Sequence, residues 1–232
     1  MINPARLHSD LSRLARETDM FMATAESLSD DEMTAASLCE GWTRADVIAH
    51  IAWNGRALVK LIDWSVTGQE QQLYASPEAR AEEISALAAL PRQELLGSVR
   101  ESAEYFADQA QRLTGDLAAE EVHLHGKQIP ATSIVALRVA EVIVHHHDLD
   151  TAWTIEEADP DSVLNAIEAA VRTMRAKGAP GMTLVTEERD EWVIGDGSLH
   201  VSSDREGLLE WLARGATANV EADGPLPTLP AW

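Results

Sequence analysis

Four polar residues recur at helical spacing in the segment LRVAEVIVHHHDLD, which otherwise consists of valine, isoleucine, leucine and alanine. They are Arg138, Glu141, His145 and Asp148. Steps of three, four and three residues keep all of them on one face of an α-helix. A buried charged stripe is unfavourable unless its members pair with one another or bind something. His146 and His147 lie off this stripe, so the spacing singles out His145.

A second polar face is predicted on an earlier helix, where His50 and Asn54 lie one turn apart. With Glu141 and His145, His50 would complete a set of three zinc ligands. Three protein ligands leave one tetrahedral position open, which is the pattern of catalytic sites. Asp148 or Asn54 could orient the ligand histidines, and the same donors also suit other divalent ions.

Purely structural roles would explain the same residues. His50 would then be a hydrogen-bonded core histidine, and Glu141 and His145 an ordinary pair one turn apart. Spacing alone leaves both interpretations open. The single cysteine, Cys39, excludes an intrachain disulfide and a thiolate zinc cage, and we expect it to be a small buried side chain, not a nucleophile. The remaining histidines are expected at the surface: His8, His123, His125 and His200.

The charge balance narrows the class of partner. The chain of 232 residues carries 39 acidic and 18 basic side chains, for a net charge of −21. Such a surface repels nucleic acid and anionic membranes, so we expect neither as a partner. No apolar run approaches the roughly 18 residues of a membrane helix. The N-terminal segment MINPARLHSDLSRLARETD lacks the apolar block of a signal peptide, and we expect a soluble, cytoplasmic protein.

Helical periodicity dominates the first two thirds of the chain. One helix is predicted after Asn3-Pro4, a second has Thr43 as its N-cap, and a third begins at Pro77 and could be broken by Pro91. A fourth is predicted at roughly 131–154. Four long helices with modest connections predict an antiparallel four-helix bundle, and we assign residues 1–156 to it.

The sequence pattern changes after this bundle, from long helical segments to a mixture of helix and strands. A helix ending at Gly178 is followed by the strand-like segments MTLVTEE, EWVIGD and LHVSS. A further helix, DREGLLEWLARG, and a last strand, ANVEA, complete a small α+β C-terminal domain over residues 157–232. The predicted fold class is therefore α+β, mainly α.

Five segments resemble the mycothiol-dependent maleylpyruvate isomerases: LCEGWTRADVIAHIAWNGRAL, YASPEARAEEI, GKQIPA, LRVAEVIVHHHDLD and LLEWLARG. The resemblance runs from about residue 35 to residue 215, and that family joins a DinB-like metal-binding bundle to a small α+β domain. It implies metal ligands at His50, Glu141 and His145 and a catalytic arginine at Arg214. Arg80 and Arg138 match family positions as weaker substrate-binding candidates. The sequence departs from the pattern at Cys39, where an aliphatic residue is expected, and at Lys127, where arginine is expected.

The resemblance implies zinc- and mycothiol-dependent cis–trans isomerisation of maleylpyruvate to fumarylpyruvate, a step of gentisate degradation. Zinc would hold mycothiol as a thiolate, whose addition to the cis alkene leaves a single bond free to rotate. Arginine would bind the dicarboxylate substrate. A mycothiol S-transferase would use the same ligands and differ only in retaining the adduct. A non-catalytic metal-binding module would need a fourth protein ligand, for which only Asp148 has suitable spacing.

Overall fold

The chain divides into two units, Met1–Thr154 and Ile155–Trp232, in the computed structural model, which describes residues 2–124 and 127–230. Helices build most of the first unit, and the second mixes helices with a sheet. The α+β, mainly α class predicted from the sequence is confirmed. None of the helices in the described ranges has both the length and the apolar character needed to cross a bilayer.

The first unit contains six α-helices and one hairpin among its described residues. In chain order they are α1 (Pro4–Ser27), α2 (Asp30–Thr34), α3 (Arg44–Thr67), α4 (Pro77–Ala88), α5 (Arg92–Ala110), β1 (Glu121–Leu124), β2 (Lys127–Pro130) and α6 (Ile134–His147). The predicted third helix is thus two helices, and the break falls at Pro91, as the sequence suggests. The short helix α2 was not predicted.

Caps present in the sequence fix both ends of α3. The Thr43 side chain accepts a hydrogen bond from the backbone of Asp46, and the Asp46 carboxylate accepts one from the backbone of Thr43. At the other end Gly68 adopts a left-handed conformation with φ of 74° and donates its N–H to the carbonyl of Trp64. Between these caps α3 is buried along most of its length.

The bundle core forms where α1, α3, α5 and α6 pack side by side. Helix α6 runs antiparallel to α3, because Asn54 contacts Arg138 whereas the earlier His50 contacts the later Glu141. Helices α3 and α5 approach closely at Gly55, where a Cβ atom would lie 2.6 Å from the hydroxyl oxygen of Ser102. The antiparallel pair α3–α6 therefore carries the polar stripes predicted from the sequence.

Helix α6 ends at His147, seven residues before the predicted end at 154. The Arg44 guanidinium explains this early end, because it donates to the carbonyl of Leu149 at 2.5 Å and to that of Asp150 at 2.7 Å. Those carbonyls are therefore satisfied outside the helix. Asp150 adopts a left-handed conformation with φ of 51°, which turns the chain away.

The hairpin β1–β2 was not predicted. Its strands fall in the segment expected to be a polar connection, and they pair antiparallel with Val122 opposite Ile129. Val122 is buried, which explains why this short segment is extended. His125 lies outside the described residues.

The second unit is a four-stranded sheet with two helices. Its elements are α7 (Pro160–Ala176), β3 (Met182–Thr186), β4 (Glu191–Ile194), β5 (Leu199–Ser203), α8 (Arg205–Arg214) and β6 (Glu221–Ala222). The strand order is β4-β3-β5-β6, with β3 and β5 parallel and the other pairs antiparallel. Alternating burial along β3 places Met182 and Leu184 in the core of this unit.

Candidate metal centre

Helices α3 and α6 bring three potential metal ligands together. His50 Nε2 lies 3.0 Å from Glu141 Oε2, and His145 Nε2 lies 3.6 Å from the same oxygen. The ligand atoms of all three residues lie within 4.8 Å of one another. The two imidazole rings meet edge to face, with centroids 4.5 Å apart. His50 and His145 are buried, and Glu141 is partly exposed.

These separations suit a small divalent ion. In a tetrahedral site with bonds of about 2.0–2.1 Å, ligand atoms lie roughly 3.3 Å apart. The observed 3.0 and 3.6 Å bracket that value. Two imidazoles and one carboxylate are also a donor set found in catalytic zinc sites, where a fourth position stays open. The residues present therefore fit a metal ion.

Asp148 orients His145. Its Oδ2 lies 2.7 Å from His145 Nδ1, and the carboxylate is completely buried. The carboxylate accepts a hydrogen bond from Nδ1–H of His145, which leaves Nε2 directed at Glu141 and available to a metal. This is the role that the i,i+3 spacing suggested for Asp148.

Cys39 differs from its expected place in the core. It is only partly buried, and its thiol donates to Asp148 Oδ2 at 3.2 Å, with the sulfur 4.0 Å from His145 Nδ1. Cys39, His145 and Asp148 also lie close enough to form a second potential ligand group. Because the Asp148 carboxylate already holds both His145 Nδ1 and the thiol, we assign these contacts to orientation of His145, and the ligand role to the group with His50.

Opposing effects set the protonation of the cluster. Burial, together with the charge of His145, lowers the pKa of His50 to about 4, so His50 is neutral at neutral pH. Burial alone would raise the pKa of Glu141, but hydrogen bonds from His145 and His50 hold it well below its usual range. Burial alone would lower the pKa of His145, but hydrogen bonds to Asp148, Cys39 and Glu141 raise it well above its usual range. A metal ion would therefore displace a proton from His145.

Arg80 of α4 brings a positive charge to the same cluster. Its Nη2 lies 3.3 Å from His50 Nδ1, and its guanidinium lies over the rings of Trp53 and Trp42 at 5.2 and 5.8 Å. Arginine can only donate, so Nδ1 of His50 accepts and the ring hydrogen sits on Nε2 facing Glu141. Coordination through Nε2 would move that hydrogen to Nδ1 and release Arg80. The two tryptophans were missed by sequence reasoning, although Trp53 follows His50 by one helical turn.

Two predicted site residues have different partners from those expected. Asn54 accepts a hydrogen bond from Arg138 Nη1 at 2.7 Å. Arg138 is 1% exposed, and its contact with a substrate stays a prediction from the family resemblance. Burial lowers its pKa to about 10, and it remains charged at neutral pH. This pair instead ties α6 to α3 one turn away from the ligands.

Arg214 is the last residue of α8 in the second unit. Its Nη1 donates to the carbonyl of Ala213 at 2.7 Å, and the helix ends in a left-handed Gly215 with φ of 74°. A basic residue at a helix C-terminus also complements the helix dipole. Its catalytic role stays a prediction from the family resemblance.

The other described histidines lie outside the ligand group. His146 is buried against Trp153, with ring centroids 3.7 Å apart, and its Nε2 lies 2.7 Å from the hydroxyl of Thr24. His8, His123 and His200 are exposed, as expected. The side chain of Lys127, the second departure from the family pattern, lies outside what the structure describes.

A helical bundle that carries a two-histidine, one-carboxylate cluster and is followed by an α+β unit defines a class of two-unit bundle proteins with a candidate metal site. The chain matches the family described as the mycothiol maleylpyruvate isomerase N-terminal domain over residues 14–150, and it belongs to this family. Comparison with curated proteins gives no match.

Two solved structures resemble the whole chain. The crystal structure of a mycothiol-dependent maleylpyruvate isomerase is 31% identical, with a TM-score of 0.81 and 97% of each chain covered. The crystal structure of a histidine-to-alanine mutant of that type of enzyme is 29% identical, with the same TM-score and the same coverage. The likeness thus extends beyond the N-terminal domain to both units.

Proposed function

We propose that this protein is a metal- and mycothiol-dependent isomerase that converts maleylpyruvate to fumarylpyruvate, with zinc as the metal. The observation that carries the proposal is the cluster of His50, Glu141 and His145, whose separations fit a divalent ion. Family membership and the two similar structures support a mycothiol-dependent isomerisation. When bound, the metal would lower the pKa of the mycothiol thiol, and the resulting thiolate is the nucleophile that cis–trans isomerisation of a conjugated alkene needs.

The chain's own residues prepare this chemistry. Asp148 holds the proton at His145 Nδ1 and so keeps Nε2 available as a ligand. Glu141 contributes the negative charge that offsets a divalent cation in a buried site. The shallow burial of Glu141, compared with that of the two histidines, marks the open side of the cluster.

Arg80 provides the positive charge that a dianionic substrate needs. Its guanidinium is partly buried and lies over the rings of Trp42 and Trp53, which hold it beside the cluster. The arginine fork matches a carboxylate, and partial burial strengthens that interaction. We assign Arg80 to one carboxylate of maleylpyruvate and, from the family resemblance, Arg214 to substrate or enolate stabilisation.

An absorbance assay tests the proposal. Purified protein is mixed with maleylpyruvate, with and without mycothiol, and fumarylpyruvate is followed. We expect turnover that needs mycothiol, is lost on chelation and is lost in His50→Ala. The matched control is His146→Gln, a change at a buried histidine outside the ligand group, which should retain turnover.

The outcomes separate the candidate functions. A stable thioether product without fumarylpyruvate would instead identify a mycothiol S-transferase. Full turnover by His50→Ala, or turnover without any thiol, would contradict the proposal.

A further inference from the structure

The candidate metal centre draws its ligands from two different helices. His50 belongs to α3, whereas Glu141 and His145 belong to α6. The ligand atoms of a site have to be held within about 0.5 Å of the geometry that the ion needs. Each residue of an α-helix advances by about 1.5 Å, so the register of α6 against α3 must be fixed to a fraction of one residue. Apolar packing is non-directional, and a directional contact between the two helices is therefore needed.

A buried polar pair makes such a contact between the same two helices. Nη1 of Arg138 on α6 donates to Oδ1 of Asn54 on α3 at 2.7 Å, and both side chains are buried. Along α6, Arg138 lies three residues from Glu141, and along α3, Asn54 lies four residues from His50. These steps correspond to about 4.5–6 Å, so the pair lies next to the ligands on the same faces of the two helices.

The neighbouring residue on α3 is a glycine, which lets the guanidinium approach this helix closely. A Cβ atom at Gly55 would lie 3.3 Å from Nη2 of Arg138 and 2.6 Å from the hydroxyl oxygen of Ser102 on α5. A larger residue at this position would therefore crowd the guanidinium. The sequence Asn54-Gly55 thus combines the acceptor for Arg138 with the space that its guanidinium needs.

Stability alone does not explain a charged pair at this place. Arg138 remains charged at neutral pH although it is 1% exposed, and its Nη2 has no hydrogen-bond partner among the described residues. Removing a charge from water is unfavourable, and well-packed apolar side chains in place of a buried charged pair are often as stable or more stable. A fixed register is the contribution that a buried polar contact makes and apolar packing does not.

We propose that the Arg138–Asn54 pair sets the register of α6 against α3 and thereby positions the three ligands for the metal ion. Both are positioning residues, because they act through the ligands and not on a substrate. The inference rests on the metal centre of the proposed function, and it does not depend on which reaction the metal supports.

Replacing the pair with apolar side chains tests this role. The full-length Arg138→Met/Asn54→Leu variant is compared with the wild type for its urea midpoint, its zinc affinity in competition with a chelating indicator, and the visible spectrum of its cobalt(II) form, which reports coordination geometry. We expect an unchanged or higher urea midpoint. Zinc binding should be at least tenfold weaker and the cobalt spectrum altered, because the ligands are no longer held in register. A merely structural pair would give the opposite pattern, with a lower midpoint and unchanged metal binding.

Ser102→Ala is the matched control. It removes a buried hydroxyl beside the guanidinium and leaves the pair intact. It should keep the zinc affinity within twofold of the wild type and the wild-type cobalt spectrum. Should the double variant not fold, Arg138→Lys supplies the test, because lysine keeps the charge but replaces the planar fork with a single ammonium group. We expect this variant to bind zinc at least threefold more weakly.

Wild-type zinc affinity and cobalt spectrum in the folded double variant, or in Arg138→Lys, would overturn the proposal. An equally large loss of zinc affinity in Ser102→Ala would also overturn it, since any change of packing would then have the same effect. If the wild type binds no zinc, the metal centre itself fails. If the variants behave as expected but the wild type isomerises no maleylpyruvate, the proposed reaction fails and the role of the pair stands.

Discussion

Replacing Asp148 with asparagine should weaken zinc binding without removing any ligand. The side chain is completely buried, and its Oδ2 lies 2.7 Å from His145 Nδ1 and 3.2 Å from the thiol of Cys39. An asparagine keeps the shape but loses the charge. Its amide can also donate to Nδ1, which would place the ring hydrogen on the coordinating Nε2.

The magnitude follows from the hydrogen bond that is lost. A hydrogen bond to a charged group contributes about 1.5–3 kcal/mol, which corresponds to a factor of roughly 10–150 in an equilibrium constant. Mutation of a residue that hydrogen-bonds a ligand histidine typically lowers the affinity for the metal by about 10–100-fold. We therefore expect Asp148→Asn to bind zinc at least tenfold more weakly than the wild type.

The assay is competition for zinc between the protein and a chelating indicator at neutral pH. Cys39→Val is the matched control, since it removes the thiol that donates to Asp148 and leaves the contact between Asp148 and His145. It should change the zinc affinity less than threefold. An affinity of Asp148→Asn within twofold of the wild type would refute the orienting role. A loss in Cys39→Val as large as in Asp148→Asn would show that the thiol is itself a ligand.

Three further predictions concern residues around the ligands. Burial, with the charge of His147, lowers the pKa of His146 to about 3, so below pH 6.5 this histidine takes up a proton in the unfolded chain and not in the folded one. The free energy of unfolding should therefore fall by up to about 1.4 kcal/mol per pH unit between pH 6.5 and pH 3. His146→Gln should reduce this slope in urea titrations. Gly55→Ala should destabilise the fold by about 1–3 kcal/mol, because the added Cβ would lie 2.6 Å from the Ser102 hydroxyl oxygen. Arg80→Met should lower kcat/KM for maleylpyruvate about 10–100-fold through the lost charged hydrogen bond, with zinc affinity unchanged or higher.

Each of these predictions has its own check. Gly97→Ala, on α5 with no atom within 4 Å of the added Cβ, should stabilise by about 0.5–1 kcal/mol, so equal signs for the two glycine variants would contradict the packing argument. An unchanged acid slope in His146→Gln would show that His146 does not resist protonation. Full activity of Arg80→Met would remove Arg80 from substrate binding.

The bounds of several helices could be predicted from the sequence, because they depend on capping residues and prolines that act locally. The capping box of Thr43 and Asp46 and the left-handed Gly68 define α3, and Pro91 separates α4 from α5. Helical spacing also placed Asp148 correctly beside His145, since both belong to the same turn. Local periodicity is therefore enough to predict which residues share a face.

Contacts between distant segments were not predictable in this way. Spacing put Asn54 on the polar face of α3, but its partner is Arg138, which depends on how α6 packs against α3. The early end of α6 depends on Arg44, about a hundred residues away. The place of Cys39 is likewise set by its contact with Asp148 and not by its apolar character.

The most direct test of the account is zinc reconstitution of the chelator-stripped protein, followed by maleylpyruvate turnover in the presence of mycothiol. We predict that activity rises linearly with added zinc and saturates at about one equivalent per chain, as expected for a single three-ligand site. The Glu141→Ala protein should stay inactive at the same zinc level. Turnover that survives stripping, or a Glu141→Ala protein that regains full activity with one equivalent, would contradict the assignment of His50, Glu141 and His145 as the metal centre.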